Sequence, residues 1–208
     1  MLGQKNWLTI LLSGSSLQII GQDLSVAQTL PLPPTLVSNM EVVNKDGLYT
    51  LITDWVKQRT FSSTNLLLLL APDLCFTHQF ASIEQDKVDS ETLQFLDTVP
   101  FENILSRTYA IGEGRQIIAV NKDLVMAIVQ GFTLHGYVTK SVVPSHLIQA
   151  DLISLSPEVE TQALKRLTDL TRESLISPLD HPLTPMPAPK KSKSSLPLLL
   201  SIFGVLLA

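Results

Sequence analysis

Apolar positions recur along this chain in three rhythms, and each predicts a different element. Near the start, Trp7-Leu8-Thr9-Ile10-Leu11-Leu12 is followed by Ser13-Gly14-Ser15-Ser16 and then by Leu17-Gln18-Ile19-Ile20. Two short β-type runs around a Ser/Gly cluster predict a hairpin. Lys5 ahead of the first run gives it a superficial likeness to a signal peptide, but the run is too short for a targeting segment. A further strand is expected over residues 26–30, ended by Pro31, Pro33 and Pro34. Leu48, Leu51, Ile52, Trp55 and Val56 follow the i, i+3, i+4, i+7 rhythm of an amphipathic helix over residues 47–59. The unbroken run Leu66-Leu67-Leu68-Leu69-Leu70, bounded by Asn65 and Pro72, suits a strand buried on both faces.

The second half of the chain continues the alternation. Residues 74–80 read as a strand. Asp89 or Ser90 is placed to cap a helix through Leu96 that Pro100 ends. Residues 105–111 and 115–120 flank Gly112-Glu113-Gly114 and predict a second hairpin. Asn121 caps a helix with Leu124, Val125, Ile128, Val129 and Phe132 on one face, Gly136 follows it, and residues 137–143 form a strand. Ser156-Pro157-Glu158 starts a last helix with Val159, Ala163, Leu167 and Leu170 inward. Strands and helices in this order predict an α/β chain with a mixed sheet.

Composition changes the picture at one end. The chain has 208 residues, net charge −4 and 16% charged residues, against a usual ~25%. Mild acidity argues against a nucleic-acid partner, because phosphate binding needs a basic footprint. The apolar excess collects at the C-terminus. Pro178, Pro182, Pro185, Pro187 and Pro189 mark an extended spacer, followed by Lys190, Lys191 and Lys193. Then come thirteen uncharged residues, 196–208, carrying Leu198, Leu199, Leu200, Ile202, Phe203, Val205, Leu206 and Leu207. As a helix this is ~20 Å long against a ~30 Å hydrocarbon core. It is expected to be a membrane anchor, either part of a longer one or a short one with local bilayer thinning, and the first is preferred. The lysines ahead of it place the N-terminal domain in the cytoplasm at the cytoplasmic membrane, single-pass. The expected organisation is a domain at 1–176 with an inserted subdomain at about 82–143, a Pro/Lys-rich linker at 177–195 and the anchor at 196–208.

Candidate chemistry is sparse. His78, His135, His146 and His181 lack metal-ligand spacing, and the single cysteine, Cys75, sits in an apolar strand. His135 before Gly136 suits a helix C-terminus. Gly112-Glu113-Gly114 reads as a turn, not a dinucleotide loop. Glu84, Asp86, Asp89 and Glu91 read as a solvated polar loop. Ser13-Gly14-Ser15-Ser16 could in principle cradle a phosphate with its backbone N–H groups, although most such clusters are turns.

That hairpin, with Phe95-Leu96-Asp97-Thr98-Val99-Pro100-Phe101-Glu102-Asn103, Ile117-Ile118-Ala119-Val120-Asn121-Lys122-Asp123-Leu124, Leu134-His135-Gly136-Tyr137 and Val142-Val143-Pro144, resembles the actin-like proteins of type IV pilus and type II secretion assembly, the PilM and GspL type. The resemblance covers about two-thirds of the chain. It implies half of an actin-like (ribonuclease H-like) α/β fold with an inserted small α/β subdomain. Family hairpins carry an acidic residue and a lysine where this chain has Leu11 and Gln18. Leucine cannot hold a hydrated Mg²⁺, and glutamine brings no charge to a phosphate. With Ser13, Gly14, Ser15 and Ser16 the hairpin therefore reads as degenerate. About forty residues remain between the first half and the apolar tail, so the second half of the fold is expected to be missing, and with it half of the nucleotide cleft. The resemblance implies a membrane-tethered scaffold, without cofactor or catalysis. Its partners would be pilus or secretion assembly proteins such as an assembly ATPase or an actin-like relative. An actin-like nucleotide-binding protein and an unrelated tail-anchored adaptor are the alternatives.

Overall fold

The computed structural model describes residues 7–21, 23–59, 61, 63–80, 85–112 and 114–177. The chain opens as the expected hairpin, β1 (Trp7–Leu12) against β2 (Ser16–Gly21), with Leu12 opposite Leu17. β3 (Gln28–Pro31) adds antiparallel to β2. Its proline lies on an edge strand, where a missing N–H is tolerated. A ribbon of β4 (Val37–Ser38) and β5 (Glu41–Val42), absent from the sequence expectations, turns through Asn39 and Met40, both at positive φ. The Asn44 side chain then accepts from the Gly47 N–H at 2.9 Å and starts α1 (Lys45–Lys57).

β6 (Asn65–Leu70) returns parallel to β1. A 3₁₀ turn, Pro72–Leu74, leads to β7 (Phe76–Gln79), so the strand expected from residue 74 begins two residues later. α2 (Gln85–Leu96) follows. Asp86, Asp89 and Glu91 thus lie on a helix and not in a loop, and Asp89 and Ser90 sit inside it and do not cap it. The reason is the spacing of Val88, Phe95 and Leu96, which cover Ile117 and Phe80 from one helix face. β8 (Ile104–Ile111) and β9 (Gly114–Asn121) form the second hairpin, with Gly112 at φ +59 in its turn. Asn121 accepts from Asp123 and Leu124 N–H groups and caps α3 (Lys122–Thr133), and β10 (Val138–Pro144) follows. The last helix is broken: α4 (Pro157–Lys165) and α5 (Leu167–Arg172) are separated at Arg166, whose guanidinium donates to the Leu147 carbonyl.

Two sheets result. The larger has the order β10-β6-β1-β2-β3, with β10, β6 and β1 parallel and β2 and β3 antiparallel. Its faces are both covered, which is why β6 is a run of leucines without alternation. Leu66, Leu68 and Leu70 face a core shared with α1 and α3; Leu67 and Leu69 face a second core shared with α4 and α5. α1 and α3 approach closely at Gly131, where an added Cβ would lie 2.7 Å from Ile52 Cδ1. The smaller sheet has the order β7-β9-β8, with α2 on one face. Its Leu105, Tyr109, Ile118 and Val120 join the first core. The small sheet starts ahead of the expected subdomain limit of about 82, and β10, inside that limit, belongs to the large sheet. Residues 178–208, with the spacer, the lysines and the apolar segment, lie outside the described residues. Among the described residues no helix is long and apolar enough to cross a membrane.

Candidate functional site

The Ser/Gly turn between β1 and β2 is where sequence placed a phosphate hairpin, and its geometry can be built donor by donor. Ser13 N–H donates to the Ser16 carbonyl at 2.9 Å, closing the turn. The Ser13 hydroxyl oxygen accepts from Ser15 N–H at 3.4 Å and from Ser16 N–H at 3.1 Å. It also lies 3.0 Å from the Ser16 hydroxyl. Gly14 N–H, the remaining donor, points at the Asp73 carboxylate, 2.9 Å from Oδ2. Asp73 is brought there by the 3₁₀ turn after β6, which the parallel pairing of β6 with β1 sets beside the hairpin. The approach is close at Gly14, where an added Cβ would sit 3.2 Å from that oxygen. The arrangement is that of an anion cradle whose anion is the chain's own carboxylate.

The two positions that depart from the family pattern have structural occupations. Leu11 is fully buried against the α4/α5 layer. Gln18 clamps the segment ahead of α4: its Nε2 donates to the Ile153 carbonyl at 3.2 Å and its Oε1 accepts from Leu155 N–H at 2.8 Å. An open cleft of about 420 Å³ remains beside the turn, lined by Ser13, Ser15, Ser16, Asp73, Asp151 and Ile153, with Ala71 and Pro72. Among the described residues no lysine or arginine lines it. Its charged lining among the described residues is two carboxylates, and the backbone N–H groups of the turn are engaged within the chain.

The remaining candidates are dispersed. His78 on β7 stacks on Phe95 and lies 3.3 Å from Glu91 Oε2. His135 follows α3, with Nε2 2.8 Å from the Thr53 hydroxyl, and Gly136 takes φ +83. His146 has a buried Nε2 without a hydrogen-bond partner, and burial holds its pKa below the ordinary value. His181 and Glu84 lie outside the described residues. Burial, with the Asp73 charge second, pushes the Cys75 thiol up to about 12, so it is protonated and unreactive at neutral pH. Burial also raises Glu160, one of whose oxygens is buried without a partner. Among the described residues no group of three His, Cys, Asp or Glu side chains can hold a metal ion. An open groove of about 820 Å³ lies between α1 and α3, with a mixed lining that includes Lys45, Tyr49, Asp123, Met126 and Gln130.

The Asp73 plug and the Gln18 clamp were not anticipated from sequence. Their partners are 59 and more than 130 residues away, and no local pattern marks them.

The chain is thus a mixed α/β protein built on a five-stranded mixed sheet. No protein-family model and no curated protein matches it. Among solved structures it is similar to the PilM–PilN type IV pilus biogenesis complex, at 14% identity and a TM-score of 0.47 over 70% of this chain and 49% of that one. It is also similar to the cytoplasmic domain of EpsL, an inner membrane component of the type II secretion system of Vibrio cholerae. That match has 14% identity and a TM-score of 0.40 over 68% of this chain and 58% of the other. A Bacteroides thetaiotaomicron protein with an actin-like ATPase fold and unknown function is similar at 12% identity and a TM-score of 0.42, over 70% and 55%. The chain spans about half the length of each of these.

Proposed function

We propose that this chain is a non-catalytic scaffold of a type IV pilus or type II secretion assembly platform. Residues 196–208 tether it to the cytoplasmic membrane, and the α/β domain docks assembly proteins from the cytoplasm. Half of an actin-like (ribonuclease H-like) fold is the reading that fits the β10-β6-β1-β2-β3 order, in which an antiparallel three-strand start is extended by two parallel strands.

The observation that carries the non-catalytic part is the closed hairpin. Every backbone N–H of the Ser13–Ser16 turn is taken by an atom of the chain itself, and the last of them by Asp73. A nucleotide would have to displace a carboxylate that costs no entropy of association, in a cleft that a second carboxylate, Asp151, also lines. The membrane part is supported by composition alone: a proline spacer of ~12 residues at ~3.1 Å each would give the domain a reach of ~37 Å from Lys190, Lys191 and Lys193.

Two measurements test the reading. Mg-ATP should leave the unfolding temperature of the full chain unchanged, whereas a ligand at 100-fold over its Kd would stabilise it by ~2.7 kcal/mol. A clear upward shift would restore the nucleotide-binding alternative. Purification of the full chain from detergent-solubilised membranes should carry pilus or secretion components with it. A chain that fractionates with soluble protein and brings none of them would end the scaffold proposal.

A further inference from the structure

Between α5 and the proline spacer, residues 173–176 lie across the seam where the two sheets meet, and both sheets hold them. From the small sheet, the β8 residue Arg107 donates to the Ser174 carbonyl at 2.9 Å, and the Tyr109 hydroxyl donates to the Glu173 carbonyl at 3.1 Å. From the large sheet, Leu175 N–H donates to the Val142 carbonyl at 2.7 Å, and Val142 N–H donates to the Ser174 hydroxyl at 3.1 Å. Val142 belongs to β10, the edge strand of the large sheet, so the strap takes up backbone groups that an uncovered edge would present to another strand. Leu175 and Ile176 are buried in the core that also holds Tyr109 and Val142.

The strap is fastened by these hydrogen bonds as well as by the burial of Leu175 and Ile176, and two buried polar atoms at the seam have no hydrogen-bond partner among the described residues. Glu173 Oε2, on the strap itself, and His146 Nε2, whose ring meets the Tyr109 ring edge-on at 6.4 Å, are both buried without hydrogen-bond partners. The Glu173 oxygen works against the closed arrangement, because opening the strap returns it to water. β6, in the middle of the large sheet, is hydrogen-bonded on both sides, and its leucines fill two cores.

We propose that residues 173–176 are a latch that opens as a unit while the five-stranded sheet stays folded, uncovering the outer edge of β10 and releasing β8 in the same event. The proposal stands independently of the scaffold reading, since it uses only contacts within the domain.

Native-state hydrogen exchange on the full-length chain at low denaturant tests it. The Leu175 and Val142 amides should open more easily than the Leu68 amide in the middle of β6, and with a shallower dependence on denaturant. Tyr109→Phe and Arg107→Met each remove one donor to the strap. Each should speed opening at Leu175 about fivefold while leaving Leu68 unchanged. The proposal is overturned if Leu175 and Leu68 share one opening rate and one denaturant slope in the unaltered protein, a comparison that needs no variant to fold. It is equally overturned if the two substitutions accelerate Leu68 as much as Leu175.

Discussion

The two sheets solve burial in different ways. The large sheet is sandwiched, α1 and α3 on one face and α4 and α5 on the other, so its central strands β1 and β6 are buried on both faces and apolar except at Thr9 and the leading Asn65. The small sheet is covered unevenly. α2 lies over Phe80 and Ile117 near β7 and β9, while β8 exposes Ser106, Thr108 and Ala110 and has no strand on its outer side. Its opposite face is closed by the first core and the strap. The contrast implies that stability resides in the large sheet and that the small one depends on it. The Ser13–Ser16 turn and its Asp73 plug lie at the end of the large sheet, so the hairpin is held by the most rigid part of the molecule.

Truncation in the two cores tests that contrast most strongly. Leu68→Ala removes a side chain buried in the core that the large sheet shares with α1 and α3 and should cost about 2–5 kcal/mol. Val88→Ala, on α2 over the small sheet, removes two carbons and should cost only about 1–2 kcal/mol. Chemical denaturation of both variants gives the ratio. Equal losses would mean that the small sheet is not the weaker unit.

Legibility followed the same division. β1, β2 and β6 are visible in sequence because burial on both faces leaves short, mostly apolar runs, interrupted by single polar residues at Thr9 in β1 and Gln18 in β2. α1 and α3 are visible because each has one apolar face and an asparagine cap. α2 was expected to end at Leu96, as it does, but its start was set at Asp89 or Ser90 instead of Gln85, because Val88 alone is apolar there and lies among Asp86, Asp89, Ser90 and Glu91, which read as a loop. The break at Arg166 has no local signal, since it is fixed by the Leu147 carbonyl. The turn at Asn39 and Met40 was missed because it adopts positive φ without a glycine. For the hairpin, sequence showed that Leu11 and Gln18 replace charged residues. It did not show what those positions do instead, because burial of Leu11 and the hydrogen bonds of Gln18 come from elements far along the chain.

Cys75 marks the passage between the sheets, and its titration reports on that junction. Its pKa is raised from 9.0 to about 12, first by burial and then by the Asp73 charge. A pKa raised on folding means that the folded state holds the proton more tightly. The resulting stabilisation is complete below pH ~9 and is lost as the pH climbs through ~12. Denaturation midpoints measured across that window should therefore fall, and fall less in Cys75→Ser. Alkylation of the thiol in the folded protein should be negligible at pH 8. Rapid labelling there would mean that the junction opens readily and that the two sheets are less firmly joined than their shared core requires.

The smallest effect is expected at Leu93, which is 66% exposed on α2 even though the helix is otherwise the lid of the small sheet. Its neighbours Phe95 and Leu96 face Phe80 and Ile117, whereas Leu93 projects to the opposite side and fills no part of that cluster. Replacing it by alanine removes no packed atoms and keeps a strong helix former, so stability should change by no more than about 0.5 kcal/mol in either direction. Thermal unfolding of Leu93→Ala decides between two accounts of α2. An unchanged midpoint leaves the helix as a one-sided cover, attached only through Val88, Phe95 and Leu96. A clear loss would reveal a second packed face on α2, and the small sheet would then be as fully enclosed as the large one.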